Sequence, residues 1–167
     1  MAGLTQRKLL SLDANFVFDL ARKKEFAREF RETFLEKQYG LLLPPAVAYE
    51  LHIIYARSHS LEEREWAGLA LRNLKLWSIQ PFDLDSSSEA IADRFARNLL
   101  HQGLIPEDEL DDGLILAQTS LAQIPLLVTS DKHLLDIDEE ALLLAFNEAD
   151  LFPTRPAHPR LLLRALR

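Results

Sequence analysis

Apolar residues in this chain come in two rhythms. Short runs closed by a polar residue or a proline recur at 8–12 (KLLSL, ending before Asp13), 41–43 (LLL), 76–80 and 125–129 (PLLVT). Such runs suit strands buried on both faces of a sheet. Between them lie longer stretches at helical spacing. Phe26, Phe30, Phe34 and Leu35 share one face of a helix over 24–39, with charges opposite, and Gly40 is placed to stop it. Pro44 and Pro45 suit the first turn of a helix running to about Arg57. Ser60 with Glu63 makes a capping box for a helix over 61–74. Ser86-Ser87-Ser88-Glu89 opens a further helix to about His101, with Gly103 beyond it. Pro106 leads into the acidic start PEDELDD and an apolar helix to Ala122. The stretch 141–146 reads equally as a fifth strand or as helix. A tail from Asn147 carries Pro153, Pro156 and Pro159 and ends in the short basic helix RLLLRALR.

Strands alternating with helices imply an α/β fold, three-layer α/β/α, around a central and mainly parallel sheet of four to five strands. In such sheets ligands bind outside the carboxyl ends of the strands. Asp13 and Asp131 stand at two of those ends.

Composition narrows the picture further. The 167 residues suit one domain with a proper core, and 48% hydrophobic with 27% charged residues is ordinary globular material. The absence of cysteine excludes disulfides and thiolate metal sites and fits a reducing cytoplasm. No apolar run is long enough to span a membrane, and residues 1–8 lack the apolar stretch of a signal peptide. A net charge of −7 argues against broad non-specific nucleic-acid binding, although cations bound by clustered acids would offset it locally.

Four acids carry the candidate chemistry: Asp13, Glu50, Asp112 and Asp131. Carboxylates without cysteine or a compelling histidine pair form a hard-oxygen donor set, suited to Mg²⁺ or Mn²⁺. Each acid has a structural alternative. Asp13 and Asp131 can simply cap the helices that follow them, as can Asn15 and Ser130 nearby. Glu50 lies among Val47, Leu51, Ile53 and Ile54, with only Arg57 as a charge partner, so it reads either as an ion pair at a helix edge or as a carboxylate aimed into a pocket. Asp112 falls between Ile115 and Leu116, with Thr119 behind it, on a helix apolar nearly all round. Asp111, about 100° away on the wheel, faces solvent. Asp108 precedes Asp112 by one helical turn. The helix macrodipole accounts for an acid-rich start but not for an acid between two large aliphatics. His52, His59 and His133 read as ordinary, no glycine-rich phosphate loop is present, and Arg22, Lys23 and Lys24 read mainly as a solvated helix face.

In this order, SLDANFVFDL, PPAVAYEL, ELDDGLILAQ and LLVTSDKHLL resemble the PIN-domain nucleases, including the VapC-like toxin ribonucleases. The resemblance runs over about 8–146. Asp13 with Asn15 matches the aspartate and small polar residue after the first strand, and Glu50 the helical glutamate. Asp112 to Ala117 matches D-x-L-I-x-A, and Val128 to Asp131 matches V-T-x-D. Gly113 departs from the pattern. The resemblance implies a PIN-like nuclease domain over 1–147 with a tail over 148–167, and Mg²⁺- or Mn²⁺-dependent hydrolysis of phosphodiesters in single-stranded RNA. Asp13, Asp112 and Asp131 would be metal ligands, and Glu50 would ligate or orient the attacking water. Asn15, Asp108, Thr129, Ser130 and Lys132 would be accessory. It further implies a cytoplasmic protein without membrane contact, possible pairing with an antitoxin protein, and a possible homodimer.

Three rivals compete. A haloacid-dehalogenase-like phosphatase wants a second carboxylate two residues after Asp13, where Asn15 stands. A receiver-like signalling domain wants paired acids near the first strand. A catalytically silent PIN fold used for binding would keep the architecture and dispense with the four acids.

Overall fold

The computed structural model describes residues 8–166. Among them the chain order is β1 (Leu9–Leu12), α1 (Ala14–Ala21), α2 (Glu25–Glu36), β2 (Gly40–Leu43), α3 (Pro45–Arg57), α4 (Leu61–Asn73), β3 (Ile79–Pro81), α5 (Ser86–His101), α6 (Leu110–Leu121), β4 (Leu126–Val128), α7 (Lys132–Leu135), α8 (Glu139–Glu148), β5 (Arg155–Ala157) and α9 (Pro159–Ala165). The strands form one sheet in the order β3-β2-β1-β4-β5, every neighbour parallel. Parallel strands need covered faces, so β1 at the centre is apolar and buried on both sides: Leu10 and Leu12 have no accessible surface, and neither has Ser11. Ser11 shares a 2.9 Å hydrogen bond with Thr119 of α6, whose hydroxyl donates to the Ile115 carbonyl at 2.7 Å. The hydroxyl in the core is thereby satisfied.

Both edge strands carry a proline, Pro81 in β3 and Pro156 in β5. Proline has no N–H to give to a further strand, so it is tolerated at edges and discourages pairing beyond them. Helices pack in three-layer α/β/α fashion. On one hand α1 to α4 pack together and α9 packs on α2; on the other α5 packs along α6, and Phe95 of α5 stacks on Phe146 of α8 with centroids 4.7 Å apart.

Local chemistry explains most boundaries. Ser60, Asp85 and Asp138 each accept a hydrogen bond from a backbone N–H in the first turn of α4, α5 and α8. Gly103, at φ 71°, ends α5 in a left-handed residue, with Leu104 N–H reaching the Leu99 carbonyl. Three expectations are corrected. Gly40 does not stop α2: the helix ends at Glu36, Gln38 takes the left-handed conformation (φ 66°), and Gly40 is the first residue of β2. The third strand is only Ile79–Pro81, because the chain turns through 74–78. The segment 141–146, which read as strand or helix, is helical within α8, and the fifth strand comes from Arg155–Ala157 in the proline-bearing tail.

Candidate active site

Strand order determines where a site forms. From β1 the chain crosses outward to β2 and β3, then returns past β1 to β4. Neighbouring β1 and β4 are therefore left by connections that run opposite ways, which opens a crevice at their carboxyl ends. Asp13 directly follows β1, and Asp131 lies just beyond β4. A helix that brings the chain back to the start of a parallel strand must itself begin at the carboxyl edge. Hence the N-terminus of α6, with Asp112 in its first turn, stands at the same crevice. Glu50 arrives on α3, which packs against α6.

A hydrogen-bond web locks the two strand ends together. The Thr129 hydroxyl donates to Asp13 Oδ2 at 2.7 Å and accepts from Asp131 N–H at 3.0 Å. Asn15 Nδ2 donates to Thr129 Oγ1 at 3.3 Å and to Asp13 Oδ2 at 3.4 Å, while its Oδ1 accepts from Ser130 N–H at 3.3 Å. Asp13 Oδ1 accepts from Ala14 N–H at 2.7 Å, and Asp131 Oδ1 from His133 N–H at 2.8 Å. Both aspartates thus do cap their helices, as their simpler reading had it, and they do so from inside the crevice.

Electrostatics separates these acids from ordinary caps. Burial drives the Asp13 carboxyl above its usual range, against the pull of Thr129 and Ala14, and Asp131 adds repulsion. Asp112 is pushed up to about 8, first by burial and then by Asp131, Asp13, Glu109 and Glu50. Glu50 keeps much of its surface exposed, yet loss of solvation at its carboxyl comes first in raising it to about 7, followed by Asp13, Asp111, Asp131 and Glu109. Among the described residues no lysine or arginine forms an ion pair with any of these acids. Asp112 Oδ2 is buried and has no hydrogen-bond partner.

A hard cation fits this arrangement. It would meet the orphaned Oδ2 and offset the burial and the repulsion that together keep protons on Asp112 and Glu50. No group of three or more acids and histidines among the described residues is assembled as a ready cage; Mg²⁺ characteristically takes one or two carboxylates and keeps several waters.

The expected residues fare unequally. Asp13, Glu50, Asp112 and Asp131 act on one another through space, and Asn15, Thr129 and Ser130 join them in the web. Asp108 is exposed and is not among the charges acting on Glu50 or Asp112, whereas Glu109 and Asp111 are. Lys132 is exposed at the start of α7. Lys24 is tied to Asp19 at 3.0 Å and Arg22 lies over the Trp66 ring at 4.3 Å, so two of the basic residues near 22–24 have partners within the protein. Sequence reasoning missed Gln118. It is buried, and its Oε1 accepts from Ala46 N–H at 2.9 Å, completing the start of α3, where Pro44 offers no side-chain cap. An amide one helical turn beyond Leu114, on a helix apolar nearly all round, was the available signal. Gln118 fixes the helix carrying Glu50 to the helix carrying Asp112.

A parallel α/β protein with converging carboxylates at its topological switch point defines the class. The chain belongs to the PIN domain family, whose sequence pattern it matches over residues 10–140. A comparison with curated proteins finds no match. Among solved structures, the fold is similar to a chain of VapBC2 from Rickettsia felis, a complex bound to a DNA fragment from its promoter (TM-score 0.60, 16% identity, 90% of this chain and 98% of that one). It is also similar to a chain of FitAcB from Neisseria gonorrhoeae (TM-score 0.52, 17% identity, 90% and 97%) and to one of FitAB bound to an IR36 DNA fragment (0.53, 17%, 90% and 94%).

Proposed function

We propose that this protein is a divalent-metal-dependent endoribonuclease that hydrolyses phosphodiester bonds in single-stranded RNA. The observation that carries the reading is the buried, partnerless Asp112 Oδ2 among acids contributed by four separate segments. Left without a cation, such a cluster is costly. Asp13, Asp112 and Asp131 are the proposed ligands of Mg²⁺ or Mn²⁺, with Glu50 holding or orienting the attacking water. Bound there, such an ion lowers the pKa of a water and stabilises charge on the phosphate. Thr129 and Asn15 hold Asp13 in place by donating to its Oδ2, and Ser130 completes the loop through Asn15.

The proposed setting is the cytoplasm, as the toxin of a toxin–antitoxin pair, with a small protein antitoxin as partner and a second copy as a further candidate partner. Support for that setting is the fold shared with the VapBC2 and FitAB complexes, and no helix among the described residues is long and apolar enough to cross a membrane. The test is cleavage of single-stranded RNA by purified protein with Mn²⁺. Asp112→Asn is expected to abolish cleavage while far-UV circular dichroism is unchanged; full activity in that variant removes Asp112 from the mechanism.

A further inference from the structure

Beside the acids, a groove of about 400 Å³ runs between α3 and α6. Its walls are apolar at Ile53, Ile54 and Leu114, and it shares Glu50 and Asp111 with the acid-rich crevice. Tyr49 lines it and is 67% exposed. Its ring stacks on no other aromatic ring and meets no cation among the described residues. Gln118 lines the groove too, although only 8% of its surface is accessible. Its Oε1 must face the Ala46 N–H, a group that can only donate, so its amide nitrogen is directed elsewhere; it has no partner among the described residues and keeps some access to solvent. A solvent-reaching amide donor without a protein partner, at a groove with apolar walls, is placed to meet a ligand with an acceptor.

What occupies such a groove follows from charge. The protein carries −7 overall, and the adjoining crevice is lined with carboxylates. That charge opposes the usual source of affinity for nucleic acid, the attraction of phosphates to basic residues. Single strands are also held by stacking of their bases on aromatic side chains, which needs no positive charge. We propose that this groove holds an unpaired nucleobase next to the phosphate presented to the acids, stacked on Tyr49, with the Gln118 amide donating to an acceptor on the base edge. The inference rests on the nuclease reading for the identity of the strand and adds to it the subsite that positions it.

Binding and cleavage test the two separately. A short labelled single-stranded oligoribonucleotide is titrated by fluorescence anisotropy, with Mg²⁺ present, against the full chain silenced by Asp112→Asn. Adding Tyr49→Ala is expected to weaken binding about tenfold, while Tyr49→Phe keeps it. Scanning one abasic position along the strand is expected to find a site whose loss costs the same factor in the Tyr49 protein and nothing further in Tyr49→Ala. Replacing the base there by an apolar isostere without edge acceptors is expected to weaken binding severalfold, and to make no difference in Gln118→Met. Equal affinity of the Tyr49 and Tyr49→Ala proteins overturns the groove, and leaves the nuclease reading standing if the protein without substitutions cleaves RNA. A Tyr49→Ala change that shifts the mass of the assembly in solution without altering RNA affinity assigns the groove to a second copy and also overturns the inference. Tyr49-dependent binding with no cleavage by the unsubstituted protein overturns the nuclease reading and upholds the groove.

Discussion

The starts of α5 and α6 place the same side chain in opposite conditions. At α5, Asp85 is exposed, accepts from Ser88 N–H at 2.7 Å, and is held below the usual carboxylate range by that bond and by the Ser88 hydroxyl. At α6, Asp112 also lies in the first turn, yet it is buried, one oxygen has no partner, and its carboxyl rises to about 8. Both acids stand at the positive end of a helix, so the macrodipole favours the charge of each. Burial and the neighbouring acids outweigh that attraction at α6 alone. An acid at a helix start contributes to stability when water and backbone donors solvate it. Deprived of both, it holds its proton to higher pH, the condition that the proposed cation would relieve.

Substitution at the two positions should separate these roles. The largest effect is expected for Asp112→Asn: loss of Mn²⁺-dependent RNA cleavage by a factor on the order of 10³ or more, together with a rise in the stability of the metal-free protein, read by urea unfolding, on the order of 1–3 kcal/mol because a buried unpaired acid is removed. A metal-free protein that loses stability on this change would make Asp112 an ordinary structural acid like Asp85.

The pH response should differ in sign from that of a capped acid. Folded Asp112 and Glu50 hold protons up to about 8 and about 7, whereas the unfolded chain releases them near 4. Between those values the folded state binds more protons, so metal-free stability falls as pH rises and levels off above the folded values. From about pH 5.5 to about pH 8, Tm is expected to drop by roughly 5 °C or more. Mn²⁺ should restore it at the upper end, and Asp112→Asn should flatten the slope. A metal-free Tm that climbs over this interval would contradict the raised values.

Gly113 sharpens the comparison from the packing side. A Cβ at that position would meet Ala96 Cβ and Ile105 Cδ1 at 2.9 Å and the Ala96 backbone at 3.0 Å. Glycine costs α6 about 1 kcal/mol of helix propensity relative to alanine, and here it is what lets α5 and α6 approach. Gly113→Ala is accordingly expected to destabilise by about 1–3 kcal/mol in denaturant unfolding; a gain would mean that Ala96 and Ile105 can yield. The smallest effect belongs to Asp85→Ala: a drop of at most a few degrees in Tm by calorimetry, from loss of the cap, with RNA cleavage unchanged.

Much of the architecture was legible because burial on both faces produces runs such as LLSL and LLL, and capping residues such as Ser60 mark starts. The helix and strand ambiguity at 141–146 arose because a short apolar run has no distinguishing period. β5 escaped notice since three residues containing Pro156 carry no strand signal; it forms because β4 offers an open edge and the Arg155 N–H reaches the Pro125 carbonyl at 2.9 Å. Gly113 looked like a departure from pattern until the neighbouring helix supplied its reason. In the site, Asp111 and Asp112 were distinguishable by helical phase, but the place of Asp108 was not legible and Glu109 was not considered, because phase near a helix start depends on where the helix begins. α6 begins at Leu110, so neither Asp108 nor Glu109 lies within it.

By itself the order of residues determined which segments are buried, where most helices begin, and which acids sit next to apolar surface, since all of these depend on neighbours within a turn or two. Tertiary structure alone decided that Asp13, Glu50, Asp112 and Asp131 act on one another, that Asp112 Oδ2 is left without a partner, and that Gln118 links α6 to α3. These are properties of distance and dielectric between parts far apart in the chain, and only the crossover of strands around β1 brings those parts within reach.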